Sequence, residues 1–263
     1  MRTQIIARMI KTNVWRISFA FFLFSCSGSE PVEHHLIIAV ASNMQIAMEE
    51  IATQFTSEHK IEIEIASGSS GVLTAQIRHG APFHVFLSAN LRYPKALESE
   101  GLTIGSLQTY AFGTLILWSL ANLDLELGIG VLADDSVTNF AIANPEIAPY
   151  GIAAMQALEN SRLLPLVRDK MVMGESIGQV NQYVSSNTVQ VGLTSRSVLY
   201  SRNLLAKGNS KEIKRSLYQP IEQGIVILKK GAEHNLLAAQ LFYEFMFSPV
   251  AREILNSHGY KSV

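Results

Sequence analysis

Two turns in the first third of the chain share one chemical theme. In Ala41-Ser42-Asn43-Met44 a serine stands between an apolar run and a helical repeat. In Gly68-Ser69-Ser70-Gly71 two serines again precede a helix, between glycines that allow close backbone approach. A serine so placed can cap the helix and still turn its hydroxyl outward. The free N–H groups of a first helical turn lie at the positive end of the helix dipole. Together they make an anion site from neutral donors. A single serine cap is commonplace; two on consecutive turns carry the argument. Two more helix starts, Pro149-Tyr150-Gly151-Ile152 and Glu175-Ser176-Ile177-Gly178, add N–H donors if they converge on the same place. Each dipole is worth about 0.3–1 kcal/mol when exposed, and each charge-assisted hydrogen bond roughly 1.5–3 kcal/mol. Five to seven such bonds reach roughly 8 kcal/mol, a sub-micromolar affinity, after ordering costs.

The elements that must hold these turns are legible. Leu36 to Val40 is a continuous apolar run, as expected of a buried parallel strand. The repeat Met44, Ala47, Met48, Ile51, Ala52, Phe55 predicts a helix from Asn43 to about His59. Ile61–Ala66 and Val85–Ser88 read as strands, with a helix over Val72–His79 between them. A second set follows: apolar runs at Leu115–Leu120 and Asn139–Ala143, helical Gly151–Glu159, a short strand at Lys170–Met173, helical Ile177–Ser185 and a strand at Val189–Thr194. Ile221–Leu228 closes the series as a strand, before one or two helices over Asn235–His258, broken near Pro249. Alternating strands and helices predict α/β architecture with parallel sheets. Two such units in 263 residues predict two lobes and a cleft. Ligands of open α/β sheets bind beyond the carboxyl ends of the strands, where these turns lie. Lobe one is expected to comprise 36–109 plus 221–263, and lobe two 110–220.

The first 26 residues read as an export signal. Arg2, Arg8, Lys11 and Arg16 precede an apolar run from Ile17 to Phe24, too short for a bilayer span of roughly 20 residues. The only cysteine, Cys26, follows in Leu23-Phe24-Ser25-Cys26, which resembles a bacterial lipobox with a bulky phenylalanine in place of a small residue. Lipidation at Cys26 and plain cleavage between Cys26 and Glu30 both fit, and 27–35 reads as a polar tether. Losing the leader leaves 17 basic against 22 acidic side chains. A mildly acidic protein without a basic stripe argues against a nucleic-acid partner. Any anion it holds must be held by local geometry.

Beyond these readings, residues 36–263 resemble the molybdate-binding proteins of ABC importers, which have a type II periplasmic-binding-protein-like fold. The resemblance rests on Ala39-Val40-Ala41-Ser42, on Gly68-Ser69-Ser70-Gly71-Val72-Leu73 with Gln76-Ile77, and on the run Gly80 to Ala89. On the second lobe it rests on Asn144-Pro145 through Tyr150-Gly151, on Gly174-Glu175-Ser176-Ile177 and on Val191-Gly192-Leu193. Phe247-Ser248-Pro249 and Gly259-Tyr260 are shared by many binding proteins and add little. The resemblance implies that molybdate or tungstate, metal and oxygens together, is held through Ser42, Ser70, Tyr150 and Ile177. Ser42 and Ser70 would use hydroxyl and backbone groups, Tyr150 and Ile177 their backbone N–H, and Ser69 shares its turn with Ser70. Some members place a tyrosine hydroxyl where this chain has Ser195, which would shorten or remove that donor. His84 and Asn90 stand where aspartates are usual. A His84 close to the cleft would add pH dependence; a packed His84 would not.

An enzyme is the first competitor. The sequence contains no H-E-x-x-H motif, and its one cysteine lies in the leader. The His34-His35 pair reads as incidental. The expectation is therefore a non-enzymatic, cofactor-free monomer at the periplasmic side of a bacterial membrane, serving an ABC permease. A lipid on Cys26 would be its only membrane attachment. A receptor for another dianion such as sulfate, or a homologue that has lost its ligand, is the competing reading.

Overall fold

The computed structural model describes residues 35–201 and 208–263, all within one compact unit. The expected export signal and nearly all of the tether lie outside the described residues. The chain opens with β1 (His35–Ala41), a 3-10 turn at Ser42–Met44 and α1 (Gln45–His59), then β2 (Glu62–Gly68), α2 (Ser70–Arg78), β3 (Val85–Ser88) and α3 (Arg92–Ser99). Next come β4 (Thr103–Gly113), β5 (Leu115–Ser119), β6 (Phe140–Ala143), α4 (Pro149–Asn160) and α5 (Leu164–Val167). They are followed by β7 (Met171–Gly174), α6 (Ile177–Ser185), β8 (Val191–Ser195) and β9 (Asn209–Glu212). The chain ends with β10 (Ile221–Leu228), α7 (Lys229–Phe245), α8 (Pro249–Ser257) and β11 (Lys261–Ser262).

The strands form two sheets, in the orders β11-β4-β10-β3-β1-β2 and β7-β6-β8-β5-β9. In the first, β1 pairs in parallel with β2 and β3, while β10 runs antiparallel to β3 and β4. In the second, β6 is parallel to β7 and β8, and β5 is antiparallel to β8 and β9. The chain leaves the first sheet at Gly113, enters the second at Leu115, and returns between Glu212 and Ile221. This is a two-lobed α/β fold.

The apolar run in β1 follows from burial on both faces. Leu36, Ile38 and Val40 pack with Met48, Ile51 and Phe55 of α1 and with Phe242 of α7. Ala39 points the other way, into a cluster with Leu73 and Ile77 of α2 and Leu97 of α3. The second sheet has its own core around Trp118, Phe140, Ile142, Val180 and Leu193. β1 and β2 therefore deliver their carboxyl ends, Ala41 and Gly68, side by side in register. The two serine turns leave from that edge.

β4 was not expected. Only Tyr110 and Ala111 of its eleven residues are buried, so it shows no apolar run.

Candidate functional site

The turns from both lobes meet around one small cavity of about 10 Å³. Ser42, Asn43, Ser69 and Ser70 line it from the first lobe, and Tyr150 and Ile177 from the second, with Ala41, Gly68, Ala89, Ala148 and Pro149 completing the wall. A void of this size is close to a single water-sized sphere. It suits a compact ion. None of the lining residues is acidic, basic or histidine, so attraction for an anion comes from N–H and O–H dipoles alone.

Each donor is set by its helix start. Ser69 is the N-cap of α2, with extended backbone and no side-chain capping bond. Its hydroxyl is buried and has no hydrogen-bond partner. Ser70, fully buried, begins the helix, and its Oγ accepts the N–H of Ala89 at 3.0 Å. A hydroxyl whose oxygen already accepts has its own proton left to give. Ser176 caps α6 by accepting the N–H of Gln179 at 3.3 Å. Ile177, the first residue of α6, has an N–H that no residue within the helix can accept. At α4 the first position is Pro149, which has no N–H, so Tyr150 offers the first donor of that helix.

Ser42 departs from its expected role. It opens the 3-10 turn whose cap is Ala41, and no side-chain capping bond is made there or at the start of α1. Its hydroxyl is thus uncommitted to the helix. Ser42 faces α6, because a Cβ on Gly178 would lie 3.7 Å from Ser42 Cβ.

The lobes touch around the cavity. The N–H of Gly71 donates to the Ile147 carbonyl at 2.8 Å, and the Tyr93 hydroxyl to the Glu146 carbonyl at 3.1 Å. Ser197 Oγ donates to the Asn43 carbonyl at 2.7 Å. Hydrogen bonds thus join the two lobes beside the cavity.

Ser195 does not reach the cavity. It is buried behind Tyr150, with Ser195 Oγ 3.0 Å from Tyr150 Oη. The tyrosine side chain therefore points away from the lining that its backbone forms. Burial holds the Tyr150 phenol well above its ordinary pKa, so it remains a neutral hydroxyl. His84 also lies away from the cavity. It precedes β3 at the strand's amino end, and its Nδ1 accepts the N–H of Ile37 at 3.0 Å. Asn90 Oδ1 accepts the N–H of Tyr93 at 3.4 Å and helps start α3.

Asn43 is the lining residue with a polar side chain that sequence reasoning missed. Its Nδ2 donates to Gln223 Oε1 at 2.7 Å, and its carbonyl accepts from Ser197 and Tyr260. The available signal was a polar residue four before Ala47, in line with the apolar stripe of α1.

Two α/β lobes, joined by two crossovers and closed on a small cavity ringed by helix starts, define a solute-binding protein. The chain belongs to the bacterial extracellular solute-binding protein family, whose model matches residues 36–261. It is 37% identical over 224 residues to the molybdate-binding protein ModA of Azotobacter vinelandii, covering 85% of this chain and 88% of that one. It is 36% identical over 226 residues to ModA of Rhodobacter capsulatus, covering 86% and 87%. The solved periplasmic molybdate-binding protein of A. vinelandii superposes with a TM-score of 0.80 at 34% identity, over 86% of this chain and 98% of that one.

Proposed function

We propose that the protein captures molybdate or tungstate outside the cytoplasm and delivers it to an ABC importer. The observation that carries this reading is the buried Ser69 hydroxyl, which has no partner and belongs to a residue of the cavity wall. A buried unsatisfied hydroxyl costs about 1–3 kcal/mol, and an oxyanion oxygen would satisfy it. The spare proton of Ser70, the hydroxyl of Ser42 and the N–H groups of Tyr150 and Ile177 complete a set of neutral donors. The relatives at 36–37% identity over most of the chain are named for molybdate.

The lining favours a fully deprotonated anion. Phosphate carries a proton at neutral pH and needs an acceptor, and no carboxylate lines this cavity. Capture involves closure of the lobes, with no covalent step and no cofactor, and the closed form is what a permease would engage. Among the described residues no helix is long and apolar enough to cross a membrane. Export by the first 26 residues, with a lipid on Cys26, would place a monomeric receptor at the outer side of the cytoplasmic membrane.

The test is a titration of the purified protein with molybdate, tungstate, sulfate and phosphate, followed by calorimetry and thermal shift. At 100 times its dissociation constant a ligand stabilises the fold by about 2.7 kcal/mol. A response to molybdate and tungstate with none to phosphate supports the reading. A preference for sulfate would reassign the anion, and silence with all four would remove the function.

A further inference from the structure

Behind the cavity lies a chain of buried hydroxyls that starts at the wall residue Tyr150. Tyr150 Oη is 3.0 Å from Ser195 Oγ, Ser195 Oγ is 3.0 Å from Ser197 Oγ, and Ser197 Oγ is 2.7 Å from the carbonyl oxygen of Asn43. All four residues are buried. A carbonyl only accepts, so Ser197 gives its proton to Asn43. Ser195 Oγ, in contact with Ser197 Oγ, donates to Tyr150 Oη. The Tyr260 hydroxyl donates to the same Asn43 carbonyl, so a fourth buried hydroxyl joins the network.

The chain begins and ends on residues that line the cavity from opposite lobes, Tyr150 and Asn43. Its upper end has no slack. A Cβ on Gly113, at the crossover between the sheets, would fall on the Tyr150 hydroxyl. At its lower end the Asn43 side chain is held by Gln223 Oε1 and by Tyr260 Oη, at 2.7 and 3.1 Å.

Building on the proposed oxyanion function, we infer that Tyr150, Ser195 and Ser197 are positioning residues whose relay fixes the spacing between the two halves of the cavity and thereby its selection by anion size. Molybdate and sulfate present the same tetrahedral set of acceptors and differ in bond length. A lost donor weakens both alike. A lost spacer lets the wall relax, which costs the larger, fitted anion more than the smaller one.

The experiment compares the full chain with Tyr150→Phe, Ser195→Ala and the double variant. Tyr150→Phe keeps the ring and the backbone N–H and removes only the hydroxyl. Dissociation constants for molybdate are measured directly and those for sulfate by competition. Each single variant is expected to weaken molybdate by about 3- to 10-fold, the equivalent of one net hydrogen bond. Sulfate should weaken less, and the double variant should be no worse than either single one. Equal weakening of both anions, additive losses, or unchanged affinities would overturn the relay. Should the wild type bind no oxyanion, the functional reading fails by itself, and the relay is then judged by thermal unfolding of the same four proteins. Non-additive midpoints would uphold it and additive ones would sink it.

Discussion

Ser70 Oγ and the backbone nitrogen of Ala89 lie 3.0 Å apart, which ties the first residue of α2 to the turn after β3 and leaves the serine its own proton to give. One side chain thus fixes the wall and offers a donor. Ser70→Ala should weaken molybdate binding by about 1.5–3 kcal/mol, the worth of a hydrogen bond to a charged acceptor. It should also lower stability in the absence of ligand, because the Ala89 N–H loses its acceptor. Calorimetry and thermal unfolding on one sample check both effects. Intact affinity would remove Ser70 from the site.

Ser69 should behave in the opposite way without ligand. Its hydroxyl makes no capping bond and has no partner. Ser69→Ala should leave the ligand-free melting temperature unchanged or raise it, by up to about 1–3 kcal/mol of relieved desolvation. The rise produced by molybdate should shrink. A variant that is less stable without ligand and binds normally would show a structural hydroxyl.

Elements with a continuous apolar run or a clear apolar stripe were the legible ones. β3 at Val85–Ser88, β10 at Ile221–Leu228 and α6 at Ile177–Ser185 fall where their apolar patterns place them. β4 was hidden because most of its residues are only partly buried, and its outer neighbour β11 has two residues. α3 is eight residues long and carries Pro94 near its start, which breaks no helix there but obscures the repeat. At the site, the turns were visible because serine and glycine before an apolar repeat mark a helix start. The pairing of Tyr150 with Ser195 was not, since 45 residues separate them and nothing local to either names the other. The same holds for His84, whose ring replaces a strand partner at Ile37 and is remote from the cleft.

Gly71 tests closure directly. A Cβ there would lie 2.9 Å from the Cα and carbonyl oxygen of Ile147 and 2.8 Å from the Tyr93 hydroxyl. Ile147 belongs to the opposing lobe and cannot retreat without opening the cleft. Gly71→Ala should therefore fold normally and bind molybdate at least about 10-fold more weakly, within the 1–3 kcal/mol typical of overpacking. The dissociation rate should rise. Wild-type affinity would show that this contact is not needed for closure.

The buried tyrosines set the alkaline limit. Tyr110, Tyr150 and Tyr260 are all raised from the ordinary phenol value of 10.0, and burial is the first cause in each. The folded state favours the protonated phenol, while the unfolded chain ionises near 10.0. Their contribution is therefore complete below that pH and is lost as pH rises toward the folded values. Denaturant midpoints should stay level between about pH 7 and 9 with respect to these groups and fall from about pH 10 upward. Tyr150→Phe should make that fall shallower. Molybdate affinity should hold across the level range, because Tyr150 is the only titratable residue in the cavity wall and remains neutral there. An affinity that drops between pH 7 and 9 would place an ionising group at the anion and contradict the neutral-donor site.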